Sequence, residues 1–290
     1  MAIDLHTHSI CSDGSDKPEQ IVERAASLGL RAVALTDHDT AEGIEAFMKA
    51  GREKGILTIP GIELSCRYMG RDIHVLGYHI PVGKLEWEER LRAIRDERNH
   101  RNQRMLHRLH DLGYPLDMAE IEAYAAGQVV SRVHFAKALA AQGYVKDVGE
   151  AFETLIGNEG PAYIPRQCFT MEEGTDWLVQ MGAKVSLAHP MLYHLTDEQL
   201  RMLLARMKEL GAVGVEVIHS RCQEEESRRL MKLADELGLG YTGGSDYHGT
   251  YKPGVYLGQG HHETLIPDTF LRTIGLDIPH SIQNFPERQA

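Results

Sequence analysis

The stretch Ala32-Val33-Ala34-Leu35-Thr36-Asp37-His38-Asp39 decides the fold: a short apolar run of strand type that stops at acids and an imidazole. The same grammar opens the chain, where Ala2-Ile3-Asp4-Leu5 runs into His6-Thr7-His8. Residues 18–28 between them have helical periodicity, so the three pieces form a βαβ unit with parallel strands. Working outward, the pattern predicts a helix over 41–54 and strands over 57–59 and 73–78. It returns late, with strands over 184–188, 214–217 and 240–243. Thr170-Met171-Glu172-Glu173 and Thr196-Asp197-Glu198-Gln199 have capping-box spacing and open helices there. The fold class is therefore α/β.

The middle lacks this rhythm. Residues 85–167 show helical patterns only, with a long helix through Leu112 and shorter ones over 118–126, 132–142 and 148–156. Gly113, Gly127, Gly143 and Gly157 fall where those helices should stop. The expected organisation is a barrel made from 1–84 and 168–290, interrupted by a helical insertion over 85–167 that serves as a substrate-recognition lid.

Composition narrows the function. Of 290 residues, 42% are hydrophobic and 25% charged, which is ordinary globular usage and excludes a mainly disordered chain. With 31 Lys+Arg against 42 Asp+Glu the net charge is −11, so double-stranded DNA and anionic membranes are repelled and any anionic ligand must be caught locally. The four cysteines form no C-x-x-C pair, and no signal-peptide-like or membrane-length apolar run is present, so a cytoplasmic location is expected. No protein partner is indicated. The outlier is histidine, 16 residues in all.

Their placement gives that excess its meaning. His6 and His8 follow the first strand, Asp37, His38 and Asp39 the second, and Glu63 the apolar run ending at Ile62. His74 begins a strand, His189 follows 184–188, and Asp246 and His248 follow 240–243. In a parallel barrel the C-terminal strand ends share one mouth, so these residues converge. Asp13 joins them, making nine candidate ligands: His6, His8, Asp13, His38, Glu63, His74, His189, Asp246 and His248. Imidazoles and carboxylates without thiolate favour Mn²⁺, Zn²⁺ or Fe²⁺, and nine ligands oversupply one ion, so two or three ions are expected. The imidazoles of His6 and His8, at i and i+2, point to one side and can share an ion. Asp39 has two readings: it orients an imidazole, or it is a turn residue before Thr40.

As a set, His6-Thr7-His8 with Ser12-Asp13-Gly14, Thr36-Asp37-His38-Asp39, Gly61-Ile62-Glu63, His74, Ala188-His189-Pro190 and Gly244-Ser245-Asp246-Tyr247-His248 resemble the motifs of the PHP family, the polymerase and histidinol phosphatase domain. The resemblance implies a distorted (β/α)7 barrel of TIM-like type with a trinuclear centre, commonly manganese, zinc or iron, that hydrolyses phosphate esters by an ion-activated water. It implies that Glu63 bridges two ions. His6, His8, Glu63 and Asp246 are the candidates for the core ion and the other five for its neighbours.

The insertion carries seven arginines and two acids between Arg90 and Arg108. Arg98 and Arg101 fall on the apolar stripe of Leu91, Ile94, Met105, Leu109 and Leu112, which is expected to be buried, with Asn102 beside it. Inward-facing arginines suit a ligand phosphate; a solvated arginine face is the plainer reading. Ser131-Arg132-Val133-His134-Phe135-Ala136 resembles the R-x-H-x-A segment of the nucleotide-cleaving branch of the same family. That likeness implies that Arg132 holds a phosphate and that His134 donates a hydrogen bond or proton, against a purely structural cap. His194, Glu216 and His219 lie beyond strand ends and are candidates to line the pocket.

The predicted substrate is a small nucleotide or short RNA. The favoured reaction removes the 3′-phosphate of a nucleoside 3′,5′-bisphosphate such as pAp. Its alternatives are 5′-to-3′ cleavage of short 5′-phosphorylated RNA, histidinol-phosphate hydrolysis, hydrolysis of an amide or amine, and a non-enzymatic nucleotide-binding module.

Overall fold

The computed structural model describes residues 1–125, 130–165 and 168–277. The expected helix end at Ala126, the stop at Gly127 and the boundary at Gln167 lie outside them. In chain order the elements are β1 (Ile3–Asp4), α1 (Pro18–Ser27), β2 (Ala32–Leu35), α2 (Ile44–Lys54), β3 (Leu57–Tyr68) and β4 (Arg71–Tyr78), followed by α3 (Leu85–Asp111), α4 (Met118–Tyr124), α5 (Arg132–Ala141) and α6 (Val148–Ala151). The second half contributes β5 (Phe169–Thr170), α7 (Met171–Gln180), β6 (Lys184–Leu187), α8 (Asp197–Glu209), β7 (Gly214–His219), α9 (Glu224–Leu237), β8 (Gly240–Gly244) and α10 (Phe270–Thr273).

One sheet runs β1-β2-β3-β4-β6-β7-β8, with the two-residue β5 paired to the far end of β3. Hydrogen bonds from Leu5 N to Gly243 O (3.1 Å), Asp246 N to His6 O (3.0 Å) and His8 N to Tyr247 O (2.9 Å) bring the two ends together, so the sheet is nearly closed. Its strands read as continuous apolar runs because both faces are covered: every residue of β2 is buried, as is every residue of β7. Both capping boxes are present, with Thr170 receiving Glu173 N and Thr196 receiving Gln199 N. Helix α2 starts at Ile44 rather than Ala41 because Gly43 is its N-cap.

The parallel pattern fails at one strand. β3 does not end at Ile59; it continues to Tyr68, turns at Met69 and Gly70 (φ 48° and 76°), and returns as β4, antiparallel to both β3 and β6. Positive φ at both central turn residues is the geometry of a two-residue hairpin. Glu63 therefore sits inside a strand opposite Leu76, and its neighbour Ser65 faces His74.

Between β4 and β5 only helices occur among the described residues. Helix α3 is 27 residues long. Its first half packs Trp87 and Leu91 into the barrel core, whereas Met105, Leu106 and Leu109 belong to a second apolar cluster with Ile121, Phe135, Leu139 and Ile156. Gly113 and Gly143 have the left-handed φ of helix stops (88° and 72°); Gly157 does not (φ −68°), because a π-helical turn over Phe152–Ile156 extends the preceding helix. Leu112 is solvent-exposed, one residue past the end of α3.

Candidate metal centre

His6 and His8 leave β1 pointing to one side of the mouth. Their backbone is held by Asp4, whose carboxylate accepts from His6 N (3.2 Å), Ser245 N (3.0 Å), Ser245 Oγ (2.5 Å) and Gly258 N (2.8 Å). It thereby ties the start of the chain to the loop after β8. Gly244 completes the approach, since a Cβ there would lie 2.0 Å from His6 Cβ. Asp37 plays the equivalent part for the next loop, accepting from Ser9 N (2.7 Å), Ser9 Oγ (2.6 Å) and Ser12 Oγ (2.5 Å), which sets Asp13 beside the mouth.

The nine expected ligands come together. Their ligand atoms fall into four overlapping groups, each within 4.8 Å: His8, Asp13, His38 and His248; His6, Glu63 and His189; His6, His8 and Asp246; and His38, Glu63 and His74. Glu63 is the hinge of the arrangement. Its Oε1 lies 2.8 Å from both His74 Nδ1 and His189 Nε2, while its Oε2 lies 3.2 Å from His6 Nε2, 3.2 Å from His8 Nε2 and 3.0 Å from His38 Nδ1. One carboxylate thus faces five imidazoles through two oxygens, as a group shared between cations must. Asp246 Oδ1 is 3.4 Å from His8 Nε2, and Asp13 Oδ1 is 3.2 Å from His248 Nε2.

Burial makes this cluster costly unless charge is balanced. His6, His8 and Glu63 have no exposed surface, yet His6 Nε2, both His8 nitrogens, His38 Nδ1, His189 Nδ1 and Glu63 Oε2 have no hydrogen-bond partner. Orphaned buried lone pairs that converge fit divalent cations, which would supply the missing partners. Burial acts to raise the carboxyls of Asp13, Glu63 and Asp246, but all three lie well below the carboxylate range: His38 and His248 lower Asp13, His38 and His74 lower Glu63, and Lys252 and His248 lower Asp246. His8 is pushed up to about 9 by Asp246 and Glu63 although burial opposes it. Backbone strain sits here too: His189 (φ 24°), Asp39 (φ 55°) and Asp246 (φ 58°) occupy the left-handed region.

Side chains behind the ligands set the imidazole orientations. Glu216 was expected to line the pocket; it is instead fully buried behind His6, 3.0 Å from His6 Nδ1, and also accepts from His189 N (2.7 Å). His219, likewise expected in the pocket, is buried with Nδ1 accepting from Arg221 N (3.0 Å), so its Nε2–H points at Asp246 Oδ2 (3.2 Å). His248 Nδ1 donates to Asp246 O (2.9 Å), leaving Nε2 as the ligand atom. Lys252, absent from the expectations, reaches Asp246. Asp39 is a turn residue (φ 55°) that accepts from Ser65 N and Ser65 Oγ (2.8 Å each) and holds Arg98.

A cavity of about 210 Å³ opens beside the cluster, with Asp13, His38 and His74 on its floor and Arg98, Arg101 and Arg132 on its walls. Arg98 and Arg101 are buried, as their place on the apolar stripe of α3 requires. Arg132 is held by Asp72 (3.1 Å) and Asn158 (2.9 Å) and lies over the rings of Tyr163 (5.4 Å) and Phe152 (5.8 Å), two aromatic wall residues that sequence reasoning missed. His134 is buried, its Nδ1 accepting from Ser131 N (3.0 Å), and burial depresses it to about 4, so it is neutral with the proton on Nε2. Of the six expected substrate residues, Arg101 and Arg132 line this cavity, whereas His134, Glu216, Asn102 and His194 do not. Asn102 points into a separate cavity between α3 and α4 and donates to Val130 O (2.9 Å), since it lies around the helix from Arg101. His194 is exposed at the end of the 3₁₀ turn after His189.

Comparison with known proteins gives three kinds of match. The family model described as PHP domain matches residues 4–160. The 3′,5′-nucleoside bisphosphate phosphatase of Chromobacterium violaceum is 30% identical, covering 91% of this chain and 93% of that protein. The 5′-3′ exoribonuclease Rnm of Escherichia coli is 31% identical, covering 84% of each. A Bifidobacterium adolescentis structure described as a metal-dependent phosphoesterase superposes with a TM-score of 0.79 at 30% identity, covering 94% of both chains.

Proposed function

This chain belongs to the PHP family and is a metal-dependent phosphoric ester hydrolase; from that premise we propose that it removes the 3′-phosphate from nucleoside 3′,5′-bisphosphates, giving the nucleoside 5′-monophosphate and phosphate. The observation that carries the reading is the cavity wall: three arginines stand beside the ligand cluster, so a molecule with one phosphate at the cluster can place a second against guanidinium groups. A substrate with a single phosphate and an amine, such as histidinol phosphate, leaves that wall without a task.

The nine ligands fit two or three divalent ions, and we assign Mn²⁺ on the donor set of imidazole and carboxylate without thiolate. Bound there, such ions offset the repulsion between a phosphate and an incoming nucleophile and acidify water. The chain's own residues do the rest. Glu63, His6, His8 and Asp246 hold the centre of the site and the other five ligands its flanks. Arg98, Arg101 and Arg132 receive the 5′-phosphate, with Asp39 and Asp72 holding two of them in place. His134 presents an Nε2–H to the departing 3′-oxygen; as a neutral imidazole it donates a hydrogen bond. Helices over 85–167 act as the recognition lid. Among the described residues no helix is long and apolar enough to cross a membrane, and the named relatives are bacterial, in keeping with work in the cytoplasm.

The test is phosphate release by Mn²⁺-loaded protein from pAp, from a 5′-monophosphate, from a 3′-monophosphate and from histidinol phosphate. Turnover of pAp well above the others is expected. Equal turnover of the 3′-monophosphate removes the arginine wall from the account, and inertness toward all four removes the substrate assignment.

A further inference from the structure

Helix α5 belongs to the insertion by its apolar face and meets the barrel through polar tips. Phe135, Ala136, Ala138 and Leu139 are buried in the second apolar cluster, and the helix packs on α4 and α6. His134 takes its ring direction from its own helix, because its Nδ1 accepts from Ser131 N (3.0 Å). Where its Nε2–H points relative to the ligand cluster is therefore set by how α5 is seated on the barrel. Arg132 and Lys137 reach across. At the start of the helix Arg132 is held by Asp72 of β4 (3.1 Å). Further along, Lys137 Nζ sits 3.4 Å from the centre of the Tyr251 ring, in the loop after β8.

A substrate treats the two attachments differently. Arg132 is assigned to the 5′-phosphate, so its hold on Asp72 is shared with the ligand. Among the described residues Lys137 makes no ion pair or hydrogen bond; the Tyr251 ring is its contact, and phosphates held by the arginines and the ions leave it in place. Lys137 is also three residues from His134 and so on the same helix face, and Asp13, one of the nine ligands, bears electrostatically on both. On the barrel side Tyr251 follows the ligand His248 by three residues. The turn between them is pinned to the loop that carries Asp13: Ser15 N donates to His248 O (3.1 Å), Thr250 N donates to Ser15 Oγ (2.8 Å), and a Cβ on Gly249 (φ 64°) would fall 2.0 Å from that Oγ. The Tyr251 ring is thus registered to two ligands, and the ammonium over it registers His134 to the ring.

We propose that the contact of Lys137 with Tyr251 is a latch that seats α5 on the barrel, and that both are positioning residues which aim His134 at the departing 3′-oxygen. The inference rests on the function proposed above, in which His134 donates to that oxygen. The step itself is unchanged: the oxygen of water bonds to phosphorus and the P–O3′ bond breaks, one water proton ending on O3′ and the other on the released phosphate. What the latch supplies is geometry, since a misplacement of about 1 Å can cost a rate about 100-fold. The loss falls on kcat, because charge on the 3′-oxygen develops only as its bond to phosphorus breaks.

The experiment gives two substrates to Mn²⁺-loaded wild type, K137M, K137R, Y251A, Y251F and H134Q. One is pAp; the other is its 3′-S-phosphorothiolate, in which sulfur replaces O3′ and departs as a thiolate that needs no donor. In K137M and Y251A the kcat for pAp should fall about 10–100-fold with KM kept, the loss on the sulfur substrate should be small, and H134Q should show the same contrast at full size. K137R and Y251F, which keep the cation and the ring, should retain the wild-type kcat. Mn²⁺ affinity, read by calorimetry, should be unchanged in K137M and Y251A. Equal losses on both substrates, or weakened Mn²⁺ binding, reduce the pair to a support of the lid or of the ion centre and overturn the positioning role. Wild-type kinetics in K137M and Y251A also overturn it, and the proposed function then stands on the turnover of pAp. A wild type inert toward both substrates overturns the proposed function and the latch together.

Discussion

Replacing Glu216 by Gln should damage cation binding without touching a single ligand. The carboxylate accepts on two sides, from His189 N at 2.7 Å and toward His6 Nδ1 at 3.0 Å, and it has no exposed surface. Glutamine has one acceptor oxygen. If that oxygen keeps His189 N–H, the amide NH₂ faces His6, so Nδ1 must become the acceptor and the imidazole proton moves to Nε2, the nitrogen that faces Glu63 and Asp246. If the amide is turned the other way, its NH₂ meets the buried N–H of His189. The first arrangement is the cheaper one, and it blocks the ligand lone pair. Loss of a group that orients a metal-bound histidine costs about 10–100-fold in metal affinity, or about 1.4–2.7 kcal/mol. E216A should also unfold more easily, by about 1–3 kcal/mol, because His189 N–H is left without an acceptor. Metal titration calorimetry with a parallel thermal melt of the metal-free proteins reads both effects. An E216Q protein that binds Mn²⁺ as tightly as wild type would refute the orienting role.

Other outcomes can be stated directly. In the metal-free protein Asp246 and Glu63 push His8 up to about 9 from its ordinary 6.5, so its stabilising contribution is complete below pH 6.5 and is lost as pH rises through 9; about 3 kcal/mol should disappear across that window in urea titrations, and less in H8N. Because His6 and His8 must shed protons to become ligands, loading with Mn²⁺ at pH 7 should release about two protons, measurable by calorimetry in buffers of different ionisation heat. His134 has the opposite sign: depressed from 6.5 to about 4, it favours the folded state above pH 6.5 and withdraws that support as pH falls through 4, so H134Q should lose about 3 kcal/mol less than wild type on acidification. Arg98 and Asp39 form a buried pair, so R98M should cost about 3–5 kcal/mol and R98M/D39N considerably less, by chemical denaturation.

Much of the site was readable because its ligands sit at the ends of runs whose periodicity is plain. His6, His8, His38, His189, Asp246 and His248 follow apolar segments, and the parallel fold carries such ends to one mouth. The inward place of Arg98 and Arg101 was likewise written in the stripe of α3. Strand direction was not. An apolar pattern has no polarity, so β4 reads the same parallel or antiparallel, and Gly70 after Met69 was the sole hint that β3 folds back as a hairpin. The groups that orient the ligands were hidden for another reason: their partners are backbone N–H groups and hydroxyls that carry no signature. The signal available was an acid inside a buried strand, as in Ile3-Asp4-Leu5 and Val215-Glu216-Val217, where an ionisable residue without a partner would be costly. Lys137 and Tyr251 meet from 114 positions apart, which periodicity does not report.

The claim on which the rest depends is that the nine side chains hold one shared cluster through Glu63. Metal content per chain, measured by mass spectrometry after Mn²⁺ loading and desalting of wild type and E63Q, tests it most directly. The account predicts about two to three ions in wild type and the joint loss of at least two in E63Q with the fold retained. A wild type that keeps no ion, or an E63Q protein that keeps its full complement, would contradict it.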